Sequence, residues 1–380
     1  MAVVELDPGM VYLLAVITEG GQVPDNVITR MDQVTPEWLT SVLYDSGALT
    51  NGAVTKFAVE NGRGNWSANV ILRVQYNDGS KGGKPRQLFL KMVKMDMNGE
   101  FFSSSEVTFY THDYTDVADA PLVRCHNAAC SEKLRRYHVL LDDVSETHIE
   151  AADKAPTLEY GLALAEGLAA MHARWWGAER LAEAGAAIHS AWHIRRFVDL
   201  SKLGAEQMLS HFSADLEPSW PAAIQNLYAK HPLAIIERSL DDHGFTLVHG
   251  DTGHHNILVP RVGDRPIYII DRQPFDWALT TWLGAYDLAY AMVLDWDVET
   301  RRRLELPVLK HYHAQLSARG VFGYSWDRLY DDYRLCVAMC VYVATEYFRS
   351  GLNNQWVSTW LSMLQRSLTA CDDLACSDLW

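Results

Sequence analysis

The stretch LVHGDTGHHNILVP, from Leu247 to Pro260, is followed after a short polar turn by IYIIDRQ, from Ile267 to Gln273. Asp251 follows an apolar run and a His-Gly turn, Asn256 stands five residues later, and Asp271 ends another apolar run. A hairpin of this pattern places two oxygen ligands at adjacent strand ends, beside a carboxylate in a loop. Mg²⁺ prefers a few hard oxygen ligands and keeps the rest of its shell for water and phosphate. The loop carboxylate can then orient an acceptor hydroxyl and take its proton, so the stretch predicts a small-molecule kinase.

Two other interpretations of this stretch have to be weighed. Each of the three residues alone could make a turn, cap one or end an exposed strand, although the joint pattern is harder to obtain from turns. His249, His254 and His255 could instead form a metal site. Zinc sites favour His and Cys at defined spacings. Here the adjacent pair would point to opposite sides of an extended chain, and no cysteine is near.

Composition is typical of a soluble enzyme. The 380 residues suffice for two lobes with a large buried core, and the 48% hydrophobic and 21% charged contents are ordinary. Glu5 and Asp7 stand where a signal peptide has positive charge, and no run approaches the roughly 20 apolar residues of a membrane span. We therefore expect a cytoplasmic protein with reduced cysteines, in which Cys336 and Cys340 are core positions one helical turn apart.

The net charge of −15 restricts the expected partners. Nucleic acids and anionic membranes require a basic surface, so neither is expected as the main partner. An acidic protein is compatible with a cationic small-molecule acceptor, although many enzymes are acidic for solubility alone. We expect a hydroxylated small-molecule acceptor and a monomer or homodimer.

The first third of the chain predicts a β-rich nucleotide lobe. After a helix-like segment, Thr35 to Gly47, strand-like runs flank a glycine cluster that contains Gly62, Gly64 and Ser67. In a dinucleotide-binding fold such glycines join a strand to a helix. The next segment, NVILRVQY, alternates and is β-branched, so it predicts a strand. The loop could cover phosphates with its backbone N–H groups, or it could be a plain hairpin.

Lys91 and Glu106 supply candidates for the other half of an ATP site. Lys91 lies inside the apolar run LFLKMV, where a lysine is costly unless it is paired or bound to an anion. Glu106 follows fifteen residues later, at the start of an expected amphipathic helix. The two match the ion pair that positions ATP phosphates in kinases. Ser103 and Glu106 also fit a capping box, which is a structural alternative for the glutamate.

The rest of the chain is predicted to be mainly helical from about Thr157. Before it, the strand-like run YHVLLDD ends in an acidic turn, which is either the hinge that holds the adenine edge or an ordinary strand end. Asp287, in GAYDLAYAM, is expected to tie its helix to the catalytic loop. Three acidic residues could recognise a cationic acceptor or simply form a solvated helix end. They are Asp295, Asp297 and Glu299.

The motifs HGDTGHHN, IIDRQ and GAYDLAY resemble the signature of the aminoglycoside phosphotransferase and choline kinase-like superfamily. More narrowly, TPEWLTSVL, LFLKMV, HVLLDDV and AMHARWW are similar to its ecdysteroid-kinase-like branch. The resemblance spans Thr35 to Ala291. It implies an α+β, protein-kinase-like fold of two lobes. We expect a small β-rich N-terminal lobe over residues 1–143, and a larger, mainly helical C-terminal lobe over residues 144–380.

The resemblance also implies roles for individual residues. Asp251 would be the catalytic base, with Asn256 and Asp271 as the Mg²⁺ ligands. The nucleotide would be ATP or GTP, with Lys91 on its phosphates. The expected nucleotide-binding residues are Lys91 and its partner Glu106, together with the backbone near Asp142 and Val144. The glycine loop, which we call the flap, is expected to add Gly64, Asn65 and Ser67.

One position departs from the branch, which usually carries an aromatic residue after the metal-binding aspartate. This chain has Arg272 there, which could reach a phosphate or an acidic group. Three function classes follow. The first choice is a kinase that modifies an antibiotic or another secondary metabolite. The second is a kinase of an amino alcohol, a sugar or a hydroxyacyl thioester in central metabolism. The third is a nucleotide-binding pseudokinase, against which the complete set of Asp251, Asn256 and Asp271 argues.

Overall fold

The computed structural model describes residues 27–62, 67–97, 99–353 and 355–380. Strands dominate the first part of this chain, and long helices dominate after about residue 157. No helix within these ranges is long and apolar enough to cross a lipid bilayer. The predicted α+β architecture, with a β-rich N-terminal region and a mainly helical C-terminal region, is confirmed.

The strands are numbered in chain order. They are β1 (Leu49–Asn51), β2 (Val54–Asn61), β3 (Ser67–Tyr76), β4 (Lys81–Gly82), β5 (Gln87–Lys94), β6 (Asp96–Met97), β7 (Glu100–Phe101), β8 (Cys125–Ser131), β9 (Arg136–Asp142), β10 (His148–Glu150), β11 (Phe245–Leu247), β12 (Ile257–Pro260), β13 (Tyr268–Ile269) and β14 (Thr281–Leu283). Five of them form one antiparallel sheet in the spatial order β2, β3, β5, β9 and β8. Alternation explains the exposure of β3, because Val70, Leu72 and Val74 are buried whereas Ile71 and Arg73 between them are not.

The helices are likewise numbered in chain order. They are α1 (Pro36–Asp45), α2 (Ser105–Thr108), α3 (Leu158–Arg174), α4 (Ala178–Glu183), α5 (Ala191–Phe212), α6 (Trp220–Arg238), α7 (Ala285–Asp295), α8 (Val298–Ala318), α9 (Trp326–Glu346) and α10 (Val357–Asp373). Helix α2 continues into a wider π-helical turn, Phe109–Asp113. The amphipathic helix expected after Ser103 is therefore a single short turn followed by a bulge.

Helix α1 covers part of the five-stranded sheet. Its first turn is capped by Thr35, whose hydroxyl accepts a hydrogen bond from the Trp38 amide at 3.1 Å. Leu39 and Leu43 are fully buried in a cluster with Leu90 and other sheet residues. This small core fixes the strand that carries Lys91.

The C-terminal region is organised around α9, which packs against α5, α7 and α10. Cys336 and Cys340 lie buried on this helix, as predicted, and the cysteines of the described residues are all free thiols. Helix α5 crosses α9 closely at Gly204, where an added Cβ atom would lie 1.9 Å from the Thr345 carbonyl oxygen. The packed helices form the platform that carries the loop between β11 and β12.

Candidate active site

The predicted site lies where two small antiparallel sheets meet. Strand β11 pairs with β14, and β12 pairs with β13, so the loop that contains Asp251 connects the two small sheets. The Ile270 amide donates to the Asn256 carbonyl oxygen at 2.9 Å. Asn256 and Asp271 therefore stand at adjacent strand ends, as the apolar runs around them predict.

Asp287, in the first turn of α7, holds the backbone of the catalytic loop. The amides of His249 and Gly250 donate to its two carboxylate oxygens at 2.7 and 2.8 Å. His172 Nε2 donates to the same carboxylate at 3.1 Å. Burial alone would raise the pKa of Asp287, but these hydrogen bonds and the nearby imidazoles lower it below its usual range. Asp287 is thus a charged anchor for the loop.

His249 joins the loop to the strand that leads into Asp271. The Asp251 amide donates to His249 Nδ1 at 3.3 Å, so Nε2 carries the proton and donates to the Ile270 carbonyl oxygen at 2.9 Å. Burial lowers the pKa of His249 to about 4, which keeps the imidazole neutral. Both of its nitrogens are therefore occupied by loop contacts.

The alternative zinc site is not formed. His255 pairs with Glu150 at 2.6 Å, and the His254 amide donates to Asp295 at 2.7 Å. Among the described residues, one group of three His, Cys, Asp or Glu side chains is close enough to share a metal ion. This group is the exposed cluster Asp241, Asp242 and His243, which does not include the predicted histidines.

Asp251 projects from the loop towards α7. Its Oδ1 atom accepts a hydrogen bond from the Tyr290 hydroxyl at 2.7 Å, and its carbonyl oxygen accepts one from Asn256 Nδ2 at 2.8 Å. The second bond leaves the amide oxygen of Asn256 available as a ligand. Burial raises the pKa of Asp251 to about 6, against the lowering effect of Tyr290. A carboxylate of this basicity is suited to accept a proton near neutral pH.

Lys91 connects the N-terminal sheet to this site. Its Nζ atom is 2.8 Å from Glu106 and also contacts the carboxylate of Asp271. The side chains of Lys91 and Glu106 are only 9% and 3% exposed. Burial alone would lower the pKa of Lys91, but the two carboxylates raise it, so the ammonium is charged. The Tyr137 hydroxyl donates to Oε2 of Glu106 at 2.8 Å, the same oxygen that lies 2.8 Å from Lys91 Nζ.

The structure separates the two explanations of Glu106. Its carboxylate accepts hydrogen bonds from Lys91 and Tyr137. The N-cap residue of α2 is Ser104, whose side chain makes no capping bond. Ser103 accepts only a local bond from the Ser105 amide at 3.3 Å. The capping box is therefore absent from this helix, and the predicted ion pair is present.

Asp271 has a backbone φ of +61°, in the left-handed region that non-glycine residues rarely adopt. Such a conformation persists where the surroundings fix it, and it is frequent at functional sites. The next residue, Arg272, is 3% exposed and makes an ion pair with Asp113 of 2.5 Å. Of the two partners expected for Arg272, the structure provides the acidic one.

The donor set at the hairpin end fits a magnesium ion. Asn256 offers an amide oxygen and Asp271 a carboxylate, which are the hard ligands that Mg²⁺ prefers when phosphates complete its shell. The Asp271 side chain is 47% exposed, which leaves room for a ligand beside the buried Lys91. These two residues are the pair that the sequence predicts.

The expected flap and hinge are described in part. Gly64 and Asn65 lie outside the described residues. Ser67 is the first residue of β3 and pairs with Val93, two residues beyond Lys91. At the hinge, the Asp142 amide donates a hydrogen bond to the Arg124 carbonyl oxygen at 2.9 Å. The Val144 amide, in contrast, has no hydrogen-bond partner within the described ranges. The Val144 N–H is therefore a backbone group available for an adenine edge.

A largely buried aromatic cluster of Tyr290, Tyr347 and Trp360 lies behind Asp251, and the sequence analysis does not single it out. The Tyr347 ring stacks on Trp360 with 5.7 Å between ring centroids, and the Tyr290 hydroxyl donates a hydrogen bond to Asp251. Tyr290 follows Asp287 by three positions, one helical turn, so the motif itself contained the signal for it. Tyr347 and Trp360 come from later helices and carry no such signal.

The acidic residues proposed for acceptor recognition have local partners. Asp297 caps α8 by accepting from the Thr300 amide at 3.0 Å, and Glu299 pairs with Arg302 at 2.7 Å. Asp295 lies closer to the loop, and burial raises its pKa to about 6. The helix-end explanation is therefore correct for Asp297 and Glu299, while Asp295 stays beside the site.

Comparison with known proteins identifies the fold. No protein-family model and no curated protein matches the chain. Among solved structures, choline kinase from Cryptosporidium parvum Iowa II aligns with a TM-score of 0.55 at 10% identity, covering 85% of this chain and 91% of that one. Ethanolamine kinase from Plasmodium vivax aligns with a TM-score of 0.51 at 10% identity, covering 97% and 95%.

A third similar structure is a spectinomycin phosphotransferase in complex with ADP and spectinomycin. It aligns with a TM-score of 0.50 at 11% identity, covering 89% of this chain and 98% of that one. Likeness at such low identity establishes the fold alone. The predicted fold of the aminoglycoside phosphotransferase and choline kinase-like superfamily is confirmed, and the ecdysteroid-kinase-like branch stays a prediction.

Proposed function

We propose that this chain, which has the fold of the aminoglycoside phosphotransferase and choline kinase-like superfamily, is a small-molecule kinase. It would transfer the γ-phosphate of ATP, or of GTP, to a hydroxyl group of a small molecule. The similar structures are choline, ethanolamine and spectinomycin kinases, which supports this class of reaction. The N-terminal lobe is proposed to end at residue 143, and the C-terminal lobe to begin at residue 144.

One observation carries the proposal. Lys91 Nζ contacts both Glu106, fifteen residues away, and Asp271, 180 residues away. A buried lysine held between two carboxylates is costly to assemble unless it serves an anion or a metal-bound phosphate. This cluster joins the β-rich region to the segment that carries Asp271. A nucleoside triphosphate would lie beside this contact.

Asp251 is the proposed base. Tyr290 occupies its Oδ1 atom, so the other carboxylate oxygen is available to an acceptor hydroxyl. As that hydroxyl oxygen forms a bond to the γ-phosphorus, the bond from phosphorus to the β,γ-bridging oxygen breaks and ADP leaves. The hydroxyl proton passes to Asp251. The transition state is loose, so positioning and charge neutralisation supply most of the rate.

Asn256 and Asp271 are the proposed ligands of Mg²⁺. When bound there, the ion would neutralise charge on the phosphates. Lys91 would add a fixed positive charge beside Asp271, held in place by Glu106. The flap residues Gly64, Asn65 and Ser67 and the hinge residues Asp142 and Val144 are proposed to complete nucleotide binding.

An antibiotic or another secondary metabolite is the first proposed acceptor class. The similar structures include a spectinomycin phosphotransferase in complex with ADP and spectinomycin, which supports this class. A central metabolite is the alternative, because choline and ethanolamine kinases share the fold. A cationic acceptor gains little support, since two of the three candidate acidic residues have local partners.

The experiment is an acceptor screen in which phosphorylated products are detected by mass spectrometry. The purified chain is incubated with Mg²⁺-ATP or Mg²⁺-GTP and a panel of hydroxylated antibiotics, amino alcohols, sugars and hydroxyacyl thioesters. A product heavier by one phosphate identifies the acceptor class. Asp251→Asn should remove that product, whereas Asp327→Asn, an exposed aspartate in the first turn of α9, should not. Nucleotide binding without any product across the panel would favour a pseudokinase.

A further inference from the structure

Arg272 and Asp113 form a buried ion pair next to the proposed metal ligand. The Nη1 atom of Arg272 lies 2.5 Å from Oδ2 of Asp113, and the two side chains are 4% and 7% exposed. The guanidinium also lies over the Phe109 ring, 6.0 Å from its centroid. The partners are 159 residues apart in the chain, so this contact joins two distant segments.

Each partner belongs to a segment that already holds a site residue. Arg272 follows Asp271, and Asp113 ends the segment that begins with Ser105 and Glu106. The same two segments are joined at their other ends, because the Ser105 hydroxyl donates to the Gln273 carbonyl oxygen at 2.8 Å. The segment that presents Glu106 is therefore fastened to the Asp271 loop at two points.

The contacts form a closed ring. It runs from Asp271 to Lys91, from Lys91 to Glu106, along the helical segment to Asp113, and through Arg272 back to Asp271. Asp271 needs such support, because its φ of +61° is disfavoured for a residue with a side chain. Asp271 contacts Lys91 and Arg272 contacts Asp113. Because these neighbouring side chains are held by different partners, the backbone between them is fixed.

We propose that Arg272 is a positioning residue that, through Asp113, holds Asp271 in the orientation needed to bind the metal-nucleotide complex. The inference rests on the proposed function, because it assigns Arg272 a role in that same site. Arg272 itself is too buried to reach a phosphate. It acts on Asp271, and hence on the metal-dependent part of nucleotide binding.

The test measures ADP binding by calorimetry, once with Mg²⁺ and once with EDTA. Arg272→Gln and Asp113→Asn are expected to weaken Mg²⁺-ADP binding by about 10–100-fold, the usual effect of losing a group that orients a metal ligand. Binding of metal-free ADP should be unchanged. Arg272→Lys should restore most of the affinity, because the ion pair uses one donor atom only. The double variant Arg272→Gln, Asp113→Asn should bind Mg²⁺-ADP no more weakly than either single variant, because both substitutions remove the same ion pair.

Arg238→Gln is the matched control. Arg238 forms a similarly buried ion pair with Asp332 at 2.6 Å, away from the metal ligands. This variant should lower the melting temperature and leave Mg²⁺-ADP affinity unchanged. The inference is overturned if Arg272→Gln binds Mg²⁺-ADP as tightly as the wild type, if Arg238→Gln weakens it equally, or if metal-free binding falls as well. A wild-type chain that binds no nucleotide would instead overturn the proposed function.

A second measurement needs no variant. In the wild type, hydrogen exchange of the amides in residues 109–113 and 271–275 is followed with and without Mg²⁺-ADP. The two segments should gain protection together, because the ion pair couples them. Protection of the 271–275 segment alone would overturn the inference.

Discussion

The hydroxyl of Tyr290 donates a 2.7 Å hydrogen bond to the carboxylate of Asp251. Tyr290 lies one helical turn after Asp287, whose carboxylate accepts the amides of His249 and Gly250. The first turns of α7 therefore fix both the backbone of the catalytic loop and the side chain of the proposed base. This arrangement orients Asp251 without a positive charge bonded to it, which leaves its pKa raised by burial.

Asp251→Asn is expected to stabilise the chain at neutral pH while it removes activity. Burial raises the pKa of Asp251 from its usual value of 3.8 to about 6, so the folded state binds the proton more tightly. Wild-type stability therefore falls as pH rises from about 4 to 6, by an amount on the order of 3 kcal/mol. Asparagine avoids this cost. Chemical denaturation without nucleotide should show a stability gain at pH 7.5 that disappears near pH 4.

The control for this prediction is Asp327→Asn, an exposed aspartate for which no such gain should occur. An Asp251→Asn variant that is less stable than the wild type at pH 7.5 would contradict the assigned burial of the carboxylate.

Lys91→Met should destabilise the fold more than the pair of changes Lys91→Met and Glu106→Gln. Removal of the lysine leaves Glu106 buried and charged, which costs roughly 3–5 kcal/mol, whereas removal of both charges is close to neutral. Denaturation curves measure this difference. Nucleotide binding should be lost in both cases, because the phosphate contact is gone. Recovery of nucleotide affinity in the double variant would contradict the role of Lys91.

Asp271→Asn should weaken Mg²⁺-nucleotide binding by about tenfold or more, which corresponds to at least ~1.4 kcal/mol. Asparagine tolerates the left-handed backbone conformation, so the loop should keep its shape and the loss should come from the carboxylate charge. Titration of Mg²⁺ at fixed ADP measures the effect. Unchanged magnesium dependence would show that Asp271 is not a metal ligand.

Asp287→Asn should lower both stability and kcat. An asparagine retains one acceptor oxygen and turns an NH₂ group towards a backbone N–H or His172, so a buried donor loses its partner at a cost of about 1–3 kcal/mol. Asp332→Asn is the matched control, because Asp332 is equally buried but bonds Arg238. It should lose stability with kcat retained in the folded fraction. An equal loss of kcat in both variants would mean that Asp287 has no specific effect on the loop.

Much of the site could be predicted because its parts are close in the chain. Asn256 and Asp271 flank the hairpin of β12 and β13, Asp251 lies in the loop before it, and short apolar runs between turns define these strands well. Lys91 likewise lies inside a local apolar run, LFLKMV, which forms part of strand β5. The helix after Ser103 was predicted too long, because its apolar residues serve a bulged turn that packs Phe109 and Tyr114 edge to face.

What the sequence did not predict depends on contacts between distant segments. The pairing of Arg272 with Asp113 and of Tyr137 with Glu106 requires the folded chain, since neither pair has a sequence spacing that marks it. Helices α5 and α6 lie in the region predicted to be mainly helical, but they were not predicted as individual helices. The spacing of Ile194, Phe197 and Val198 in α5 is helical, so that omission had a local signal, whereas its close crossing at Gly204 did not.

The central claim is that Asp251 is the base of a phosphotransferase. It is tested most directly by following transfer of the γ-phosphate from ATP to an acceptor found in the screen, with wild type and Asp251→Asn side by side. ATP binding is measured on the same samples. We predict that the variant binds ATP like the wild type and transfers phosphate at least about 10²–10⁴-fold more slowly. Transfer at the wild-type rate by a folded, ATP-binding Asp251→Asn variant would contradict the claim.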